Sequence, residues 1–208
     1  MTEVNPVEAQ VHPIEAESYR ILRSRIDLSA LPPLTRAVTE RIIHATADFD
    51  YVTDLVCDEM ALAAGVEALR RDAPVIADVG MVASGITGYP VICKIGDSLC
   101  ARLARTANIT LSAAAVRLAH GEAGPGAIWL VGCAPTALAE IMSRQVEPAL
   151  VIGVPVGFVG AADAKDNLRA SGLPALSNIS EKGGSAVAVA AFNALLRVAR
   201  KQAGKESS

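Results

Sequence analysis

Apolar positions near the start of the chain recur at helical spacing. Ile14, Ile21, Leu22 and Ile26 follow a 3.6-residue period, which predicts a first helix. Pro32 and Pro33 close that segment, and a second helix is predicted from about Thr35 to Ala47. A third amphipathic stretch runs from about Asp58 to Arg70. Helices thus fill the chain ahead of the first predicted strand. Beyond Arg70 the pattern changes to short apolar runs punctuated by glycine and proline, at 74–78, 90–95, 127–132, 149–154 and 174–179. Continuous apolar runs of this length, bounded by turn residues, are read as buried strands. Helical stretches separate them, at 98–106, 111–120, 135–145, 161–170 and 185–201.

Regular alternation of strand and helix with short connections implies parallel pairing through right-handed crossovers. The expected fold class is therefore α/β: a three-layer open parallel sheet of about five strands, preceded by extra helices. No internal repeat or linker interrupts the pattern, so one domain is expected over residues 13–202. The polar segments 1–12 and 203–208 are expected to be flexible ends. Composition agrees with a covered parallel sheet, since 51% of the 208 residues are hydrophobic but only 3% are aromatic. Ala, Val, Ile and Leu must then fill the core.

A net charge of -3 argues against nucleic acid as a partner, because neutralising phosphates needs a basic excess. The longest apolar stretches fall short of the roughly 20 residues that span a bilayer, so no membrane insertion is expected. Four cysteines lie scattered at 57, 93, 100 and 133, and no secretory signal pattern opens the chain. Both observations suggest a reducing cytoplasm. Signatures for nicotinamide, P-loop, zinc-protease and serine-hydrolase chemistry are missing from the sequence. Assignments to those four chemistries therefore have no support.

In an open parallel sheet, ligands bind outside the carboxyl ends of the strands. The loops expected there are small and glycine-rich: Asp78 to Met81, GCAPT at 132–136, GVPVGFVGA at 153–161 and SEKGGS at 180–185. Gly153, Gly157 and Gly160 permit close backbone approach to a ligand, or simply a tight turn. Ser185 reads as an N-cap with Lys182 nearby, suited either to a carboxylate or to ordinary capping. Of three histidines, His12 lies in the polar start and His120 at a helix end. His44 differs, because it interrupts the apolar face around Ile42 and Ile43. A polar ring there is either a satisfied core residue or a proton donor in a site. Arg20, Arg23, Arg25, Arg36 and Arg41 gather in the first two helices, as a solvated face or as a cradle for several carboxylates.

The segments HPIEAESYRIL (12–22), ERIIHA (40–45), ADVGMVASGI (77–86), APTAL (134–138), GVPVGFVGAADAKD (153–166) and EKGGSAVAVAAFNAL (181–195) resemble the precorrin-8 and cobalt-precorrin-8 methylmutases of corrin biosynthesis. The resemblance runs from about Pro13 to Leu196. It implies a flavodoxin-like sheet, a homodimer with sites near the subunit interface, and an anionic tetrapyrrole substrate. It also implies an isomerase that moves a methyl group from C-11 to C-12 without redox change, so that no cofactor and no metal is expected, with His44 as proton donor. The substrate-contacting set it implies is Ser18, Arg23, Asp78, Ser112, Thr136, Gly157, Lys182, Gly183, Gly184 and Ser185. Two positions depart from the family pattern: Leu111 stands where an arginine precedes the serine, and Cys133 replaces an asparagine. These departures motivate an alternative expectation, a tetrapyrrole-binding or product-carrying paralogue with impaired turnover.

Overall fold

The computed structural model describes residues 12–144 and 146–206. Helices α1 (Pro13–Arg25) and α2 (Pro33–Thr46) open it, followed by a single turn α3 (Tyr51–Asp54), strand β1 (Leu55–Cys57) and α4 (Glu59–Arg70). The alternating part comprises β2 (Val75–Ala77), α5 (Gly80–Gly85), α6 (Ser98–Ala107), α7 (Leu111–Ala123), β3 (Ile128–Val131), α8 (Pro135–Ser143), β4 (Leu150–Gly153), α9 (Ala161–Ala170), β5 (Ala175–Asn178) and α10 (Ser185–Glu206). Several starts are set by local capping. Asp58, Asp97 and Thr110 each accept a hydrogen bond from a backbone N–H in the first turn of the helix they precede.

The sheet has the order β1-β5-β4-β3-β2. Strands β2 to β5 are parallel and adjacent in chain order, while β1 runs antiparallel to β5 with Leu55 opposite Asn178. Because the chain crosses the sheet in one direction from β2 to β5, right-handed crossovers place α7, α8 and α9 on the same face. Those helices bury Ile76, Trp129, Val131 and Val151. The opposite face, formed by Val75, Ala77, Ile128, Leu130, Leu150, Ile152 and Leu176, is covered by α2, α4 and α10. Small residues let helix and sheet approach closely there. A Cβ on Gly65 of α4 would come within 2.7 Å of Leu150 Cδ2.

The three-layer α/β architecture is as expected, with local differences. Residues 90–95 do not form a strand. Pro90 brings no N–H, and the segment makes one bridge to the edge strand β2, through Ile92 and Ile76. The unpredicted strand β1 precedes all the predicted ones. Its three residues are too few to show a period, and its pairing is with a strand more than a hundred residues away. Residues 80–85 form a helical turn where a loop was expected, and α10 continues to Glu206. The expected flexible ends lie for the most part outside the described residues. His12, which is described, caps α1 by accepting from Ile14 N at 3.3 Å.

Leu150, fully buried on the central strand β4, tests this packing. Leu150→Ala should destabilise the fold by about 2–5 kcal/mol, read from urea unfolding, because the close Gly65 backbone leaves little that can collapse into the space.

Candidate active site

The loops at the carboxyl ends of the strands are fastened by buried charged groups. Asp78, directly after β2, is 1% exposed. Its carboxylate accepts from the backbone N–H groups of Gly132, Cys133 and Ala134, at 3.2, 2.8 and 3.1 Å. Burial pushes its carboxyl pKa up, against the opposing pull of those donors. On the other flank Asp54, at the end of α3, accepts from Ile179 N, Ser180 N, Ser180 Oγ and Asn178 Nδ2. Burial alone would raise its pKa, but these bonds outweigh burial and lower it. Two glycines allow the last loop to turn. Gly183 has φ +145, and a Cβ on it would lie 2.2 Å from the Val154 carbonyl oxygen, so no larger residue fits.

His44 projects from α2 into a cleft of about 440 Å³, a size typical of small-molecule sites. Arg41, Met81, Gly85, Ser185, Val189 and Asn193 also line it. The ring is held on two sides by α1: Nδ1 lies 2.8 Å from Ser18 Oγ, and the ring stacks on Tyr19 with centroids 4.9 Å apart. No described group bonds Nε2. Partial burial pushes the His44 pKa below its ordinary value, and the guanidiniums of Arg41 and Arg197 push it the same way, while Glu15 opposes them. The imidazole is therefore neutral at rest and becomes a stronger acid once protonated.

The expected contact residues separate into three groups. Ser18 and Ser185 gather at His44, one bonded to it and one across the cleft. Ser185 is the first residue of α10, so the cap position falls on Gly184 rather than on the serine. Arg23 lines a neighbouring groove with Tyr19, Glu40 and Arg197. The third group lies in the loops and in the first turns of α7 and α8, and does not line the His44 cleft. Asp78 is spent on backbone amides, and Lys182 Nζ pairs with Asp48 and Asp50 at 2.8 and 2.6 Å. Gly157 N donates to Glu181 O and Gly184 N to Val154 O. Gly183 is pressed against the Val154 carbonyl, whose oxygen lies 2.2 Å from where a Cβ would stand. Thr136 pairs with Thr110 through their hydroxyls at 2.7 Å, near half-buried Ser112 at the start of α7.

The arginines of α1 and α2, open to reading as a solvated face or a cradle, are mostly paired. Arg20 pairs with Glu17, Arg23 with Glu40 and Arg41 with Glu15, so three of the five guanidiniums are held by the chain's own carboxylates. Arg25 and Arg36 make no ion pair among the described residues. Tyr19 and Asn193 were not anticipated. Tyr19 carried one usable signal, as a rare aromatic next to Ser18 on the helix that pairs with the histidine helix. Among the described residues no group of three or more His, Cys, Asp or Glu is placed to hold a metal ion.

The profile of the precorrin-8X methylmutase family matches residues 13–198. The cobalt-precorrin-8 methylmutase of Salmonella typhimurium is 40% identical over 199 residues, which cover 90% of this chain and 95% of that protein. The precorrin-8X methylmutase of Pseudomonas aeruginosa is 37% identical, covering 88% and 93% of the two chains. The crystal structure of the precorrin-8X methylmutase from Thermus thermophilus superposes with a TM-score of 0.83 at 35% identity, covering 91% of this chain and 96% of that one. Fold, cleft and sequence together define an intramolecular transferase, an isomerase of the methylmutase class. The chain belongs to the precorrin-8X methylmutase family.

The electrostatics around His44 can be read by titration. Its imidazole should titrate below 6.5 in NMR spectra; Arg41→Gln should move the midpoint up and Glu15→Gln should move it down. The unfolded chain takes up this proton first as pH falls, so the histidine's contribution to stability is complete above about 6.5 and declines below it.

Proposed function

We propose that the protein moves a methyl group from C-11 to C-12 of precorrin-8 or cobalt-precorrin-8, with His44 as the proton donor. One observation carries this reading: His44 is clamped by Ser18 and Tyr19, with Nε2 left unpartnered beside an open cleft. In the rearrangement the bond from the methyl carbon to C-11 breaks as the bond to C-12 forms, and the composition of the ring is unchanged. A proton, or a strong hydrogen bond, delivered by His44 to the macrocycle makes its π-system a better acceptor for the migrating group. The proton returns to the imidazole afterwards.

The low resting pKa fits this cycle. A polyanionic tetrapyrrole in the cleft brings carboxylates towards the imidazole and favours its cationic form. The donor is then loaded when substrate is present and neutral when it is absent. Ser18 fixes the ring orientation through Nδ1, so that Nε2 remains the exchanging atom.

The expectation of a homodimer belongs with this reading. Phe158 and Val159 are 96% and 88% exposed at the tip of the β4–α9 loop, at the carboxyl end of the sheet, and an apolar tip of this kind suits coverage by a second copy. The cytoplasm remains the proposed compartment, in keeping with four cysteines present as free thiols. No helix among the described residues is long and apolar enough to cross a membrane.

Anaerobic incubation with precorrin-8, and separately with its cobalt form, tests the activity through the visible spectrum. Wild type should convert one of them to the product chromophore, and His44→Ala should lose about 100-fold or more of the rate. A bound but unconverted spectrum would instead favour the carrier reading, and Leu111→Arg restoring turnover would strengthen it. In light scattering, Phe158→Asp should shift the protein from dimer to monomer.

A further inference from the structure

Among the described residues Lys165 is the one lysine buried completely, at 0% exposure, and nothing in the proposed chemistry uses it. It projects from α9 beneath the β5–α10 loop. Its ammonium donates to Asn178 Oδ1 at 3.0 Å, to Lys182 O at 2.7 Å and to the carbonyl oxygen of Ser180. Three donors meet three acceptors, so the buried cation is fully satisfied. Burial pushes its pKa down to about 8, which leaves it charged at neutral pH.

The acceptors show what the cation does. Ser180 and Lys182 both turn their carbonyls inward onto one point, and Asn178 spans the same loop by donating to Asp54 and to Lys182 O. Asp54 holds the N–H side of Ile179 and Ser180. The loop is thus gripped from both polar sides of its backbone, by a carboxylate on the donors and an ammonium on the acceptors. Directly after it come the glycine turn at 183 and 184 and the first turn of α10. Ser185, Ala186 and Val189 of that helix form a wall of the His44 cleft. Without the ammonium, two carbonyls and an amide oxygen would be left converging in a buried space, and their mutual repulsion would push the loop open.

We propose that Lys165 is a positioning residue, an internal cation that sets the β5–α10 loop and thereby the wall of the cleft facing His44. The turnover part of this inference rests on the methylmutase reading; the loop part does not. Two measurements on the full chain separate them. In hydrogen exchange, Lys165→Met should speed exchange about tenfold or more in residues 179–188 and leave strand β3 and helix α7 as in wild type, as expected for local opening. In the precorrin-8 assay the same variant should lose about tenfold or more of kcat/KM, the order expected when charge-assisted bonds are removed from a loop that shapes the site. Millimolar methylammonium, which can occupy the vacated space, should recover part of the Lys165→Ala rate at an unchanged circular dichroism spectrum. Tetramethylammonium, which cannot donate, should not.

Unchanged exchange, or exchange raised across the whole chain, would overturn the proposal, since the lysine would then hold either nothing or only global stability. Wild-type turnover in a variant with an opened loop would overturn it as well, as would failure of the amine to rescue. Should Lys165→Met not fold, Asn178→Ala removes one of the three acceptors and is read by the same measurements. If wild type itself leaves both precorrin-8 and its cobalt form unconverted, the methylmutase reading fails and the exchange pattern alone decides for or against Lys165.

Discussion

The handedness of the crossovers organises this molecule. Four parallel strands taken in chain order force α7, α8 and α9 onto one face of the sheet, and of the helices between them only the short α5 segment, with Val82 and Ile86, packs against the other. That second face is as apolar as the first and has to be covered mostly by what lies outside the alternating unit. Helices α2 and α4 from the start of the chain and α10 from its end perform this task. The cleft is a by-product of the solution. It opens where α2 meets the beginning of α10 above the carboxyl ends of the strands, and His44 and Ser185 face each other there because two remote segments share one sheet face.

Charge is used economically around this cleft. Loops at the ends of parallel strands leave backbone donors and acceptors that regular structure does not satisfy, and the chain answers with Asp78 and Asp54 for donors and Lys165 for acceptors. Three of the arginines of the first two helices, Arg20, Arg23 and Arg41, are balanced in turn by Glu17, Glu40 and Glu15. What remains at the histidine is a field slightly biased towards the neutral ring, one that an incoming anion can reverse.

How much of this was legible depended on whether the signal was local. Strands β2, β3 and β4 are continuous apolar runs and are readable as such, and β5 is readable within 174–179 although it ends in polar Ser177 and Asn178, whereas β1 carries three residues and owes its existence to Asn178 and Leu176 across the sheet edge. Residues 90–95 have the composition of a strand, yet Pro90 and the edge position limit them to one bridge. His44 stood out because a polar ring in an apolar helix face needs an explanation. The partners of charged residues were not readable. Lys182 reads as suited to a carboxylate or to ordinary capping, and Asp78 as part of the implied contact set, and only the curl of each loop shows the partners they take. Tyr19 lay hidden for a related reason, since the packing angle of α1 on α2 leaves no trace in the spacing of either helix.

The meeting of α2 with α10 also bears on the life of the chain before it is complete. On a ribosome adding about 5–20 residues per second, the apolar side of α2 emerges roughly 7–30 s before the segment that covers it has been made. The strands follow in the order of their places in the sheet, so the side covered by α7, α8 and α9 can close progressively while the other, with α2 and α4 already made, still lacks α10. A nascent chain of this kind presents a broad greasy surface late into synthesis, and a ribosome that stalls before Ser185 would release a half-clad sheet without a working cleft.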